Sequence, residues 1–342
     1  MKLVSVGGGS GGWAPGNFGY LDMPGLSSGV PGLREGLGWG TLPINCIAAS
    51  GLDTKPGANT TVTGAINTRF DIYDNSNDCL SGGICPASIN SVKDLVRSAN
   101  ANTSGQGCRM SNSGWGLPAG NYSAIATATA LPTSTNPAAM GHPRDMCHAV
   151  SSDGVCSRGR VGDGNWDRDA YFRTNYRRSD GTRWIGGTGT GSWQANTGLP
   201  ANATRYAVYV WEIENRGTVV NDVTVLGPTP STATGNAKIG IGTPVCSPAQ
   251  SDGGVSYGAG TIPGPTTPDR RKINVAVVNC VAQNVGGNST GLQTVGFLDA
   301  FLVEPSIARG TRTGQGDVYV EVVGASTTGV QLVSKKVPYL IE

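Results

Sequence analysis

Charge is scarce in this chain of 342 residues: 25 Lys and Arg and 23 Asp and Glu make 14% of it, against about 25% in an average soluble domain. The net charge of +2 argues against a nucleic-acid surface, because counterion release needs clustered positive charge. Histidine is rarer still, with only His142 and His148 present, so a Cys/His zinc site has few ligands and a serine hydrolase few bases. The cysteines never fall in a C-x-x-C spacing, which removes the usual zinc and redox signatures. No run approaches the length and hydrophobicity of a membrane helix. The longest uncharged stretch, Met110 to Pro143, is full of Pro, Thr, Ser, Gly and Asn. The opening residues, MKLVSVGGGSGG, have too short an apolar run for a signal peptide.

What the chain does have is glycine (53), proline (20) and aromatics in number: 7 Trp, 10 Tyr and 5 Phe. That many rings must be buried, so the chain is folded and loop-rich rather than a low-complexity coil. The eight cysteines are Cys46, Cys79, Cys85, Cys108, Cys147, Cys156, Cys246 and Cys280. An even count without metal-ligand spacing reads as disulfides in an oxidising compartment. Short separations favour Cys79–Cys85 and Cys147–Cys156, which leaves Cys46–Cys108 and Cys246–Cys280. Disulfides without an export signal imply that an upstream export or membrane segment has been removed.

The pattern predicts a mainly β fold: β-rich, with long Gly/Ser/Asn-rich loops, one or two short helices, and disulfide staples. A helix is expected over residues 88–101, with Ile89, Val92, Val96 and Ala99 on one face and Ser88 as N-cap. A shorter helical turn covers Gly32 to Gly38. After residue 204, β-branched residues bounded by turn formers predict strands at Tyr206–Ile213, Thr218–Leu226, Ile273–Cys280, Val295–Val303, Val318–Val323 and Val330–Val337. Residues 1–203 thus read as a loop-rich, disulfide-bonded lobe and 204–342 as a β-sheet domain, the two together admitting one continuous module.

Motifs of chemistry are few. Gly7-Gly8-Gly9-Ser10-Gly11-Gly12 fits G-x-G-x-x-G but runs into Trp13-Ala14-Pro15, a loop where a dinucleotide site needs a helix. Gly25-Leu26-Ser27-Ser28-Gly29 fits a nucleophile elbow, but Pro24 and Pro31 flank it. The sharper run is Asp163-Gly164-Asn165-Trp166-Asp167-Arg168-Asp169, whose oxygen side chains at Asp163, Asn165, Asp167 and Asp169 resemble the front of a calcium loop. Arg168 stands where that loop wants Gly, and Thr174 where it wants Glu. A structural Ca²⁺ there competes with a plain Asx-turn, as it does in Asp74-Asn75-Ser76-Asn77-Asp78. No cofactor is required by any motif. Trp166, Tyr171, Tyr176, Arg177, Arg183 and Trp184 concentrate the residue types that anchor interfaces, some of them necessarily core.

Several segments taken in order resemble the TadG-like proteins of tight-adherence (Tad/Flp) pilus assembly systems. They are Pro15–Asp22, Asn67–Tyr73, Pro143-Arg144-Asp145 before Cys147, and Gly162–Asp167 with Tyr171. Thr204-Arg205-Tyr206 with Tyr209 and Glu212, Val278-Asn279-Cys280, Phe301–Pro305 and Asp317–Val322 complete the set. The resemblance implies a non-catalytic bacterial envelope protein, inner-membrane anchored and facing the periplasm, whose partners are other pilus-assembly proteins or pilins. This chain lacks the anchor helix and the alanine-rich segment of that plan. The alternatives are a secreted filament subunit or surface adhesin, and a secreted hydrolase. No nucleic-acid partner is expected.

Overall fold

A computed structural model describes residues 1–5, 17–18, 20–21, 25–27, 29–40, 50–55, 60–74, 78–79, 83–92, 95–98, 105–116, 144–149, 156, 161–227, 237–239, 244–246, 260–285, 289–308 and 314–326. Its strands are β1 (Lys2–Ser5), β2 (Asn17–Phe18), β3 (Tyr20–Leu21), β4 (Ser50–Leu52), β5 (Thr54–Lys55), β6 (Val96–Ser98), β7 (Trp115–Gly116), β8 (Val219–Val220), β9 (Val223–Thr224), β10 (Ala237–Ile239), β11 (Lys272–Val278), β12 (Leu292–Leu302) and β13 (Asp317–Ala325). Its helices are α1 (Val30–Gly38), α2 (Thr63–Thr68), α3 (Met146–Ala149), α4 (Arg168–Asn175), α5 (Trp193–Thr197) and α6 (Arg205–Glu214).

The main sheet runs β11-β12-β13-β1-β2, with β4 paired to the start of β12. Its long antiparallel ladders place Ile273 opposite Ala300 and Leu302 opposite Val320. Residues 2–5 pair with β13, and Ser50–Leu52 with β12, so both halves of the chain build one sheet. Alternation along β12 and β13 sorts their side chains to two faces. Ala300, Leu302, Val318 and Val320 pack with Ile66, Phe70, Ile72, Leu95 and Trp115. Phe301, Val303 and Tyr319 pack on the opposite side with Tyr209, joined by Tyr206, Val210 and Ile213 of α6. A second core gathers Trp166, Tyr171, Phe172, Tyr176, Trp184 and Trp193 with Val208.

The expectation of a mainly β chain holds only in part, because among the described residues helix and strand occur in comparable amounts and six α-helices stand where one or two were expected. Tyr206–Ile213 is the clearest reversal: its β-branched and aromatic content suggested a strand, yet it forms α6. The Thr204 hydroxyl caps this helix by accepting from the Ala207 N–H, and the spacing of Tyr206, Val210 and Ile213 puts all three over the sheet. Conversely, the helix expected at 88–101 is extended where described. Ser88 bridges Thr261, the Ile89 N–H donates to the Thr261 carbonyl, and Val96–Ser98 is strand. Residues 88–92 are all buried, so their apolar spacing marked no single helical face. Thr218–Leu226 is a tight hairpin rather than one strand, because Asn221 and Asp222 turn at φ 44° and 61°. The helix at Gly32–Gly38 and the strands at 273–280, 295–303 and 318–323 are present with shifted ends; Val330–Val337 lies outside the described residues.

Among the described residues three disulfides staple the fold: Cys79–Cys85, Cys108–Cys246 and Cys147–Cys156. The two short loops match expectation. The long one replaces both Cys46–Cys108 and Cys246–Cys280, because the buried Asp71 carboxylate accepts from the N–H groups of Val245 and Cys246 and so fixes Cys246 beside Cys108. Cys280 carries no disulfide, and Cys46 lies outside the described residues. No helix of the described residues is long and apolar enough to cross a membrane.

Candidate functional site

Helix α6 organises two clusters of buried charge, one at its N-terminus and one at its last turn. Its N-terminal N–H groups, from Arg205 and Tyr206, donate to the Glu321 carboxylate on β13 at 3.1 and 3.0 Å, a favourable place for an anion. The Arg205 guanidinium pairs with Glu321 at 3.2 Å and with Asp145. Asp145 also accepts from the N–H groups of Asp163 and Gly164. Burial alone would raise its pKa, but the Arg205 charge and these bonds leave it below the ordinary carboxylate value. Gly162, at φ 70°, lets the loop close: a Cβ there would stand 2.0 Å from an Asp145 oxygen.

Two turns along the same helix lies Glu212, only 1% exposed. The hydroxyls of Tyr171 and Tyr176 donate to its Oε1 at 2.6 and 2.7 Å, and the Asn90 amide donates to Oε2. Burial pushes the Glu212 carboxyl up to about 7, against the opposing pull of the tyrosine bonds and the Arg271 charge. Burial, then the Glu212 charge, holds both tyrosines well above their ordinary range. Arg271 is buried between the rings of Phe70 and Phe301, 4.5 and 4.6 Å from their centres. It donates to the carbonyls of Asn90, Leu302 and Val303. Its neighbour Arg270 donates to those of Pro86, Trp39 and Gly38. Arg144 and Glu304, both fully buried, pair at 2.8 Å with the Arg144 guanidinium over the Tyr319 ring.

The cavity between Tyr171, Glu212 and Arg271 has a volume of about 20 Å³, room for one water. The arrangement can hold protons and charges in place; it offers no room there for an organic substrate. Trp166, Tyr171, Arg205, Tyr209, Glu212 and Phe301, from three separate stretches of the chain, line this interior. Asn90 and Arg271 escaped the sequence reading, Asn90 because its segment looked helical. A glutamate inside the apolar run Tyr206–Ile213 and the pair Arg270-Arg271 before the β-branched run of β11 were the visible signals.

The calcium-type loop has more local uses. Asp163 accepts from the Asn165 N–H, Asp167 caps α4 through the Ala170 N–H, and Asp169 accepts from the Trp193 indole. Among the described residues, the groups with metal-ligand spacing hold Asp163 with Asp145 and Cys147, and neither Asp167 nor Asp169. The second oxygen-rich run has residues 75–77 outside the described set. Of the six interface anchors, Trp166, Tyr171, Tyr176 and Trp184 are core. Their rings stack on one another, as Tyr176 does on Trp184 at 4.4 Å, which is how a loop-rich segment buries its apolar area. Arg177 and Arg183 are half-buried. No protein-family model, curated protein or solved structure matches the chain.

Proposed function

We propose that this chain is the extracytoplasmic, periplasm-facing part of a pilus-assembly protein of the TadG-like kind, acting through protein–protein contacts and not through catalysis. The observation that carries the reading is the fate of its polar residues. Glu212, Arg270, Arg271, Arg144 and Glu304 direct their hydrogen bonds into the interior, and Glu212 and Arg271 do so beside a water-sized cavity. Chemistry invested in holding loops together leaves the surface as the working part. Three disulfides support an oxidising compartment.

The test is capture of partners from envelope extract of the source bacterium by the tagged full chain, with pilus display scored in a deletion strain. Recovery of pilin or pilus-assembly components, with loss of pili, is the expected result. Filament formation by the purified chain alone would favour a filament subunit or adhesin. Turnover of a glycan, peptide or ester that one carboxylate substitution abolishes would establish a hydrolase.

A further inference from the structure

The Cys147–Cys156 disulfide sits among other metal-ligand side chains. Ligand atoms of Cys147, His148 and Cys156 lie within 4.8 Å of one another, and so do those of Asp145, Cys147 and Asp163. Cys147 Sγ stands 3.8 Å from Asp163 Oδ1. Around a tetrahedral zinc ion, with Zn–S near 2.3 Å and Zn–N near 2.0 Å, ligand atoms are roughly 3.4–3.8 Å apart. Within each trio the ligand atoms exceed that spacing by at most about 1 Å, and Cys147, common to both trios, links Asp163 to His148 and Cys156 once the S–S bond opens. His148 and Cys147 are buried and Asp163 is exposed, so the cluster has a dry floor and an open mouth. Asp145 is committed to Arg205 and to the N–H groups of Asp163 and Gly164. It acts as the positioning residue that holds the Asp163 turn against Cys147.

We propose that the reduced chain binds one zinc-class divalent cation through Cys147, His148, Cys156 and Asp163, and that metal and disulfide are alternative closures of the same loop. The thiolate and imidazole ligands select a soft or borderline ion over calcium. Reduction takes two equivalents of an external thiol: the Sγ–Sγ bond breaks, two cysteine thiols form, and the donor leaves as its disulfide. Zinc then displaces the two thiol protons to solvent. The chain would thereby hold this loop before oxidation, and release the ion when the disulfide forms. This inference does not depend on the pilus reading.

The test uses the full chain, oxidised or reduced with a phosphine, titrated with Zn²⁺ against a chromogenic chelator and with Co²⁺ for thiolate-to-metal charge-transfer absorption. Reduced chain should bind one ion with tetrahedral cobalt spectra, and oxidised chain none. D163A, altering an exposed residue, should weaken binding about tenfold or more. On the reduced wild-type chain, Zn²⁺ should slow alkylation of Cys147 and Cys156 but not of Cys280, read by peptide mass spectrometry. Equal reactivity of the three cysteines with Zn²⁺ present, or equal binding by the oxidised chain, would overturn the proposal. Unchanged affinity in D163A would overturn the four-ligand assignment.

Discussion

Glu212→Gln removes a buried charge while keeping the shape of the side chain, and its effect should depend on pH in a defined direction. In the folded chain the Glu212 carboxyl titrates near 7, whereas the ordinary glutamate value is 4.5. Between those values the folded state holds a proton that the unfolded state has released. The stability this contributes is fully present below pH 4.5 and is lost as pH rises through 7. A shift from 4.5 to about 7 corresponds to about 3 kcal/mol across that window. The glutamine carbonyl can still accept from Tyr171 and Tyr176, and its amide can meet Asn90 once that side chain turns over. E212Q should therefore match the wild type near pH 4 and exceed it by about 3 kcal/mol near pH 8. Urea titrations of both proteins at half-unit pH intervals measure the difference. Parallel curves for the two proteins from pH 5 to 8 would refute the account of Glu212 as a buried, destabilised carboxylate.

Alkylation without reductant should label at most two thiols, at Cys46 and Cys280, and peptide mapping should recover Cys79–Cys85, Cys108–Cys246 and Cys147–Cys156. R144M strands the buried Glu304 charge and should cost about 3–5 kcal/mol by chemical denaturation, with R144M/E304L recovering most of it. W184A truncates a side chain with no exposure and should cost about 3–5 kcal/mol, a result that near-wild-type stability would contradict. If the Asp163–Asp169 turn takes calcium, added Ca²⁺ should raise the melting temperature in a concentration-dependent way and D163A should abolish the rise; no shift would leave the residues as turn, cap and indole anchor.

Composition and short-range spacing carried the features set by local chemistry. Cys79 with Cys85 and Cys147 with Cys156 are near in sequence, so closing those loops costs little chain entropy and the pairing could be read directly. Strands such as Asp317–Ala325, with alternating side chains and turn formers at their ends, were equally legible. The segments Thr204–Glu212 and Phe301–Pro305 stood out in the sequence without their roles being readable there. Those roles are relations between distant residues: Glu212 gains meaning from Asn90, 122 positions away, and Arg144 from Glu304, 160 away. Tertiary contact also decided secondary structure where local preference was weak. Tyr206–Ile213 became helix because a helix delivers Tyr206, Val210 and Ile213 to the sheet while turning Val208 and Glu212 into the aromatic core. Residues 88–92 became extended because pairing with Thr261 satisfied backbone groups in a place sealed from water. Residue types alone determined that the aromatics of Trp166–Trp184 had to be buried in quantity; which of them met water, and that Cys108 would close on Cys246 across 138 residues, only the packed chain could settle, because burial and long-range closure are properties of the assembled core.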